Sequence, residues 1–185
     1  MPAPAASQPV HPAAVYLRAL EPEDLDFLFA LENDADIWGV SDTLAPVSRH
    51  ALRAYLAHAA EDFYAVQQLR LVVTTENDGR PVGVVDLFGF EPLHRRAGVG
   101  ITVLAAERRR GYARQALALL QHHAHQVLRL HQLYATVPAD NPGSMRLFRA
   151  AGFRRVGTRR AWLRTATGWQ DAVEWQCLLS PAVTP

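Results

Sequence analysis

The chain has 185 residues, of which 49% are hydrophobic and 20% are charged, a composition that suits one globular domain and excludes a disordered chain. No apolar run reaches the roughly 18 residues of a membrane-spanning helix, and the single cysteine, Cys177, excludes an internal disulfide and a cysteine-rich zinc site. The net charge is +1, but residues 1–93 carry −9 and residues 94–185 carry +10.

The first part of the chain predicts a tail, a strand and two helices. Residues 1–14 are rich in Pro and Ala without an apolar period, which predicts a disordered tail. They also lack the basic and apolar regions of a secretory signal, so we expect a cytoplasmic protein. A strand is predicted over 15–19 and a helix over 21–33, whose first turn holds Pro and acidic residues. Apolar spacing predicts a second helix over 48–63, which Ser48 can cap.

The remaining elements alternate between strands and helices. Strands are predicted over 69–75 and 81–90, joined by a hairpin turn in which Gly79 supplies a positive φ. The later predicted elements are a strand over 97–105, a helix over 111–129, a strand over 132–137, a helix over 141–151 stopped by Gly152, and two strands over 153–163 and 172–179 around Gly168. This order predicts a single α/β (α+β) domain over 15–180, followed by a short tail over 181–185.

The charged residues exclude two kinds of site and leave several explanations for the charge asymmetry. All 19 Lys-or-Arg positions are arginine, which excludes a Schiff-base lysine and a Walker-type phosphate lysine. The asymmetry between the halves is compatible with chance, with a nucleic-acid patch in the second half, or with one half holding an anionic ligand while the other attracts a cation.

The segment that joins the third predicted strand to the long helix is the most informative. Arg108, Gly111 and Ala113 occupy positions one, four and six of an R/Q-x-x-G-x-G/A pattern. Such a turn at a helix N-terminus exposes backbone N–H groups that can bind a pyrophosphate, and arginines add charge-assisted hydrogen bonds. A basic loop that merely starts a helix is the alternative. A second segment, 132–153, adds a strand, Asn-Pro-Gly-Ser and a short helix ending in Ala-Gly-Phe about 30 residues downstream.

Together these two segments resemble the GNAT superfamily of acetyl-CoA-dependent N-acetyltransferases, and the resemblance covers residues 15–179. Within it, the chain is most similar to the branch of the spermidine/spermine and ribosomal-protein N-acetyltransferases. The resemblance implies a mixed, mostly antiparallel central sheet with a splayed strand pair, flanked by helices. It also implies acetyl-CoA as the co-substrate, an amine acceptor (a small cation or a protein N-terminus) and, by family habit, a homodimer.

The resemblance also implies where the cofactor binds. One strand would bind the pantetheine arm through its backbone, the loop and first helical turn would bind the pyrophosphate, and the Asn141 side chain would contact CoA. Ser144 matches a serine near the thiolate that can act as general acid. The implied cofactor-binding residues are Ile101, Thr102, Val103, Arg108, Arg109, Arg110, Gly111, Tyr112, Ala113, Asn141 and Ser144.

The chain departs from the family pattern at two places. Phe148 stands where many members carry a tyrosine that protonates the departing thiolate, so the acid is Ser144, a water or nothing. The polyamine enzymes carry an acidic pair in the loop matching residues 39–44 and a glutamate at the position of Gly98, whereas Asp86 retains an acidic residue. These differences bear on whether a polyamine is the acceptor.

An amine must lose a proton before it attacks the thioester, so a base is needed. The candidate bases are Asp86, His94 and Glu91, which lie on or after the strand beside the cofactor strand. The alternative for Asp86 is an ion pair with an arginine, and for His94 a place in a surface turn. We expect no metal, because no acid or cysteine lies at matching spacing near His122 and His125.

Two further hypotheses stand beside the enzyme. One is an acetyl-CoA-binding regulatory module with weak catalysis, which Phe148 favours. The other is a nucleic-acid-binding protein that uses the basic second half, but several of its arginines cluster at the proposed pyrophosphate turn. We therefore expect an N-acetyltransferase that binds neither nucleic acid nor a membrane.

Overall fold

The computed structural model describes residues 14–34, 45–58, 63–165 and 167–179. The strands are β1 Val15–Arg18, β2 Gln68–Thr75, β3 Pro81–Glu91, β4 Arg96–Val103, β5 Gln132–Pro138, β6 Arg154–Thr165 and β7 Gly168–Leu178. The helices are α1 Leu25–Glu32, α2 Arg49–Ala57, α3 Phe63–Val66, α4 Tyr112–Gln126 and α5 Pro142–Ala150. Short 3₁₀ turns at Pro22–Asp24 and Ala105–Glu107 precede α1 and follow β4.

All seven strands form one sheet in the order β1-β2-β3-β4-β5-β7-β6. Every neighbouring pair is antiparallel except β4 and β5, which are parallel. That parallel register covers only Arg96–Gly98 against Gln132–Tyr134. Beyond it the two strands diverge, which confirms the expected mostly antiparallel sheet with a splayed strand pair.

The alternation of side chains along β3 divides the core into two layers. Val85 and Leu87 point to the face that α4 and α5 cover, where Leu117 and Leu120 are fully buried. Val84 points to the opposite face and packs against α1 and α2. Asp86 and Phe88 follow Val84 at intervals of two residues, so they share its face. A polar and an aromatic side chain therefore lie beside the splay, on the side away from the main core.

Several local predictions are confirmed. The Ser48 side chain accepts a hydrogen bond from the backbone N–H of Ala51 and caps α2. Gly79 and Gly152 have φ values of +66° and +86° in their turns. The two predicted strands of the β2–β3 hairpin pair antiparallel, with a shift of register between Val73 and Thr74 near the turn.

Some boundaries differ from the predictions. The second helix ends at Ala57, short of the predicted 63; Phe63 begins α3 instead and packs its ring 4.8 Å from that of Phe90. The strand predicted to reach residue 105 ends at Val103, because a 3₁₀ turn follows. The last hairpin is longer than predicted, since β7 begins at Gly168 rather than at residue 172 and pairs with β6 up to the turn.

Three predicted features lie outside the described residues: the tail except Ala14, the loop 39–44 and the tail 181–185.

Of the three tryptophans of the last hairpin, Trp175 is buried in the core, whereas Trp162 and Trp169 are exposed. No helix in the described ranges combines the length and the apolar character needed to cross a membrane.

Candidate active site

A cleft of about 560 Å³ opens where β4 and β5 diverge. One wall is the part of β4 beyond the pairing with β5, another is the loop and first turn of α4, and the third is the start of α5. The structure brings ten of the eleven predicted cofactor residues to this cleft: Ile101, Thr102, Val103, Arg108, Arg109, Gly111, Tyr112, Ala113, Asn141 and Ser144.

The loop before α4 is built to present backbone N–H groups. Gly111 is the N-cap of this 15-residue helix and has a φ of +81°, a conformation that favours glycine. Arg109 also has a positive φ, +65°. Arg108 Nε donates to the carbonyl of Val103 at 3.2 Å and ties the loop to the end of β4. The first N–H groups of α4 and the helix dipole therefore face the cleft and favour an anion.

Two arginines outside the predicted cofactor residues also line the cleft. Arg114 lies in the first turn of α4 and Arg146 in the middle of α5. Helical spacing could have indicated Arg146, because residues 143, 146 and 147 share one face of α5. With Arg108 and Arg109, these side chains make the cleft wall strongly basic.

Arg110 is the predicted cofactor residue that does not line the cleft. Its Nη1 atom lies 3.3 Å from Oε2 of Glu107, a buried carboxylate that does line it. Arg80 Nη1, from the β2–β3 turn, donates to the other oxygen of Glu107 at 2.5 Å. A buried carboxylate requires such partners. Arg110 and Arg80 thus compensate a negative charge that would otherwise repel an anionic ligand.

The start of α5 holds the two predicted residues of the second segment. Asn141 Oδ1 accepts the backbone N–H of Ser144 at 3.0 Å and caps the helix. Within the described part of the chain, no acceptor is paired with the Nδ2 group of Asn141, so this group can donate to a ligand. Ser144 contributes only its backbone N–H to this cap, so its hydroxyl can make contacts in the cleft.

On the other face of the sheet, Asp86 belongs to a buried charge cluster. Arg70 Nε donates to Asp86 Oδ1 at 2.6 Å, and Arg70 Nη1 donates to Glu32 Oε1 at 2.7 Å. The guanidinium carbon lies 5.7 Å from the ring centroid of Tyr55. Two carboxylates and one guanidinium give these three charged residues a net charge of −1, which favours a cation nearby.

Burial raises the pKa of the Asp86 carboxyl above its ordinary value, although Arg70 opposes the shift. A Cβ atom placed on Gly100 of β4 would lie 3.7 Å from Asp86 Oδ2. The second carboxylate oxygen therefore faces β4, the strand that forms the cleft wall on the other side. The pair with Arg70 matches the structural alternative for Asp86, and the Gln68 side chain also forms a hydrogen bond with this carboxyl group.

The other candidate bases lie farther from the cleft. His94 is exposed in the turn between β3 and β4, at the end of β4 opposite Ile101–Val103. Glu91 accepts two hydrogen bonds from Arg96, at 2.9 and 2.8 Å. The structure thus brings Asp86, but not His94, beside the splayed part of β4.

Phe148 is 4% exposed and lies in edge contact with Phe153, with ring centroids 5.0 Å apart. Its ring packs in the main core and does not line the cleft.

No three potential metal ligands come together in the ranges that the structure describes.

Comparison with known proteins identifies the family. Residues 14–154 match the model of the acetyltransferase (GNAT) domain. The chain belongs to the GNAT acetyltransferase family. It is therefore an N-acetyltransferase with acetyl-CoA as its co-substrate.

Relatives within the GNAT family agree with this assignment. The chain is 32% identical to the spermidine N(1)-acetyltransferase of Escherichia coli over 147 residues, 78% of this chain and 75% of that protein. It is 25% identical to the probable N-acetyltransferase YjcK of Bacillus subtilis over 175 residues, 85% of this chain and 90% of that protein. A crystal structure of spermidine N-acetyltransferase from Vibrio cholerae in complex with CoA and spermine is similar with a TM-score of 0.78 at 25% identity, covering 89% of this chain and 95% of that chain.

The cleft fits the co-substrate of the GNAT family. Acetyl-CoA carries an anionic pyrophosphate and an amide-bearing arm. The N–H groups at the start of α4 and the surrounding arginines suit the pyrophosphate, and the edge of β4 beyond its pairing with β5 suits the arm. The residues present and the ligand chemistry thus agree.

Proposed function

We propose that this enzyme transfers the acetyl group of acetyl-CoA to a primary amine of a small polyamine-type cation. The observation that carries the proposal is the Glu32–Arg70–Asp86 cluster, whose net charge of −1 lies beside the splayed strand on the face opposite the main core. The acidic first half of the chain adds to the attraction of a cation. Spermidine acetyltransferases are among its relatives.

In this proposal, the donor lies in the cleft between β4 and α5. The N–H groups of the turn from Gly111 to Ala113, with Arg108 and Arg109, bind the pyrophosphate. The backbone of Ile101–Val103 binds the arm as an added strand would. Asn141 Nδ2 donates to the arm.

The proposed reaction is a direct transfer. The protonated amine gives a proton to Asp86, its nitrogen attacks the thioester carbonyl carbon, and the C–S bond breaks to release the thiolate. The thiolate takes a proton from Ser144 or water, and the acetylated nitrogen gives its second proton back to that group. A backbone N–H near Val103 polarises the carbonyl oxygen. The raised pKa of Asp86 brings the carboxylate closer to the pKa that a base needs near neutral pH. His94 is the second candidate base.

The test combines ligand binding with turnover. Thermal unfolding is measured with and without acetyl-CoA, and thiol release is then measured with spermidine, spermine and a peptide with an unmodified N-terminus. A ligand at 100 times its Kd stabilises the folded state by about 2.7 kcal/mol. We expect a clear shift and thiol release with the polyamines. Stabilisation without turnover on any amine would instead favour a binding module, and turnover on the peptide alone would replace the polyamine as acceptor.

Four further properties complete the proposal. The domain spans 15–180 between two short tails, and the enzyme works as a cytoplasmic homodimer without a metal. The exposed Val156 and Trp162 on the edge strand β6 offer an apolar surface for a second copy. Sedimentation velocity would give the oligomeric state, and activity after chelator treatment would show a metal requirement. Cell fractionation would test the location, and limited proteolysis would test the tails.

A further inference from the structure

The ring of Phe88 lies directly on the backbone of Gly98. A Cβ atom placed on Gly98 would lie 2.4 Å from Phe88 Cε2 and 2.6 Å from Cζ, closer than any side chain tolerates. The same ring reaches Gly100, where a Cβ atom would lie 3.8 Å from Phe88 Cε1. Two glycines that alternate on β4 thus provide the room for this ring.

The ring is positioned at the point where β4 and β5 diverge. Gly98 pairs with Phe88 on one side and with Tyr134 on the other, and it is the last β4 residue in register with β5. The Phe88 and Tyr134 rings meet edge to face with centroids 6.3 Å apart. Even so, Phe88 is 41% exposed, whereas most of β3 is buried. A large aromatic surface therefore remains accessible at the apex of the splay.

Phe88 and Asp86 share one face of β3 and are two residues apart, a separation of roughly 7 Å along a strand. A short methylene spacer sets a similar separation between neighbouring nitrogens of a polyamine. A cation gains energy over an aromatic ring as well as beside a carboxylate. An acceptor whose reacting nitrogen is at Asp86 can thus place its next ammonium at the Phe88 ring.

We infer that Phe88 is a specificity-determining residue that binds the second ammonium of the acceptor, with Gly98 providing the space for its ring. This inference rests on the proposed function, because it assumes that a polyamine-type cation is acetylated beside Asp86. It assigns to an aromatic ring the recognition of the acceptor's second positive charge.

The test compares two acceptors that differ only in the second nitrogen, 1,4-diaminobutane and n-butylamine. We expect Phe88→Leu to lower kcat/KM for the diamine about 3- to 10-fold relative to n-butylamine, the range for a partly desolvated cation–π contact. Phe88→Tyr keeps the ring and should preserve the ratio within about twofold. KM for acetyl-CoA should not change in either variant.

Tyr16→Leu is the matched control, because Tyr16 is 40% exposed on β1, three strands away from β4. It should leave the ratio unchanged. Gly98→Ala provides a second arm, since its Cβ atom displaces the ring and should lower the ratio as Phe88→Leu does. In a Phe88→Ala background, Gly98→Ala should have little further effect.

Each outcome decides the inference separately from the proposed function. A wild-type enzyme that acetylates the diamine with an unchanged ratio in Phe88→Leu overturns the role of Phe88 and leaves the function intact. If the wild type acetylates no amine, the proposed function fails. Calorimetric titration of 1,4-diaminobutane into wild type and Phe88→Leu then decides the inference, and equal binding or none would overturn it.

Discussion

Arg70 and Asp86 form an ion pair beneath α1 and α2, with 2.6 Å between Nε and Oδ1, and the same guanidinium reaches Glu32 at 2.7 Å. We expect Arg70→Gln to lower the free energy of unfolding by about 3 kcal/mol, because two carboxylates would remain without their shared cation. Urea unfolding measures the change. Arg160→Gln, which breaks an ion pair whose arginine is exposed, should cost less than about 1 kcal/mol. Equal losses in the two variants would contradict the prediction.

Asp24, in the turn before α1, accepts two hydrogen bonds from Arg18 and one from the backbone N–H of Glu21. Burial raises the pKa of Asp24, but these hydrogen bonds outweigh burial and hold the pKa below its ordinary value of 3.8. Asp24 therefore stabilises the fold above its unfolded-state pKa, and the stabilisation is lost as the pH falls through the folded-state pKa.

We expect Asp24→Asn to lower the free energy of unfolding by about 1–3 kcal/mol at neutral pH. The difference from wild type should shrink as the pH falls below 3.8, because the wild-type carboxyl then becomes protonated too. Urea titrations at several pH values between neutrality and acid measure this convergence. A difference that stays constant over the range would show that the ionised form of Asp24 contributes nothing.

Asp86 faces β4 with one oxygen, whereas His94 lies in an exposed turn at the other end of that strand. We expect Asp86→Asn to lower kcat roughly 100- to 10,000-fold, the usual range for loss of a general base. The loss should be partly offset at high pH, where more of the amine is unprotonated. His94→Ala should change kcat less than about twofold. Profiles of kcat against pH for both variants distinguish the two bases, and the opposite order would make His94 the base.

Gly111 caps α4 with a φ of +81° at the cleft. We expect Gly111→Trp to abolish acetyl-CoA binding, because a bulky side chain blocks the approach of the pyrophosphate to the backbone. Gly152→Trp is the control for backbone strain, since Gly152 has a φ of +86° and no atom within 4 Å of an added Cβ. Thermal shift with acetyl-CoA measures binding. Full affinity in a folded Gly111→Trp protein would remove the proposed site.

Asn141 caps α5 by accepting the backbone N–H of Ser144, so the Ser144 hydroxyl can be removed without loss of the cap. We expect Ser144→Ala to lower kcat roughly 100-fold or more if this hydroxyl protonates the thiolate, with KM for acetyl-CoA unchanged. Phe148→Tyr should not raise kcat, in wild type or in Ser144→Ala, because the ring at this position packs in the main core and does not line the cleft. Steady-state kinetics of the four proteins test both statements. An unchanged rate in Ser144→Ala would assign the proton to water.

The parts of the fold that follow local rules were predictable from the sequence. Ser48 caps α2, Gly79 forms its turn, and the turn before α4 combines Arg108, Gly111 and Ala113 as a pyrophosphate loop requires. Each depends on residues within a few positions of one another. Most residues that line the cleft were predictable for the same reason, because two short segments carry nearly all of them.

The parts of the fold and of the site that the sequence did not predict depend on contacts between distant segments. The cluster of Glu32, Arg70 and Asp86 forms only because α1 packs on β2 and β3 and because these two strands pair in one particular register. Arg70 lies 38 residues from Glu32 and 16 residues from Asp86 in the sequence, so no local pattern predicts the cluster. Arg110 was expected at the cofactor, but the buried Glu107 holds it. The end of α2 was also missed, because apolar spacing continues past Ala57 although α3 begins a separate turn.

The three-residue register between β4 and β5 divides the sheet into two units that are each nearly continuous in sequence, β1–β4 and β5–β7. Within each unit the strands are antiparallel neighbours, so the two sets of strands are joined at a narrow seam. A donor that contacts β4 on one side and α5 on the other spans this seam. Donor binding should therefore protect the amides of both units from hydrogen exchange together, and the enzyme should resist mechanical separation of its halves more strongly when loaded than when empty.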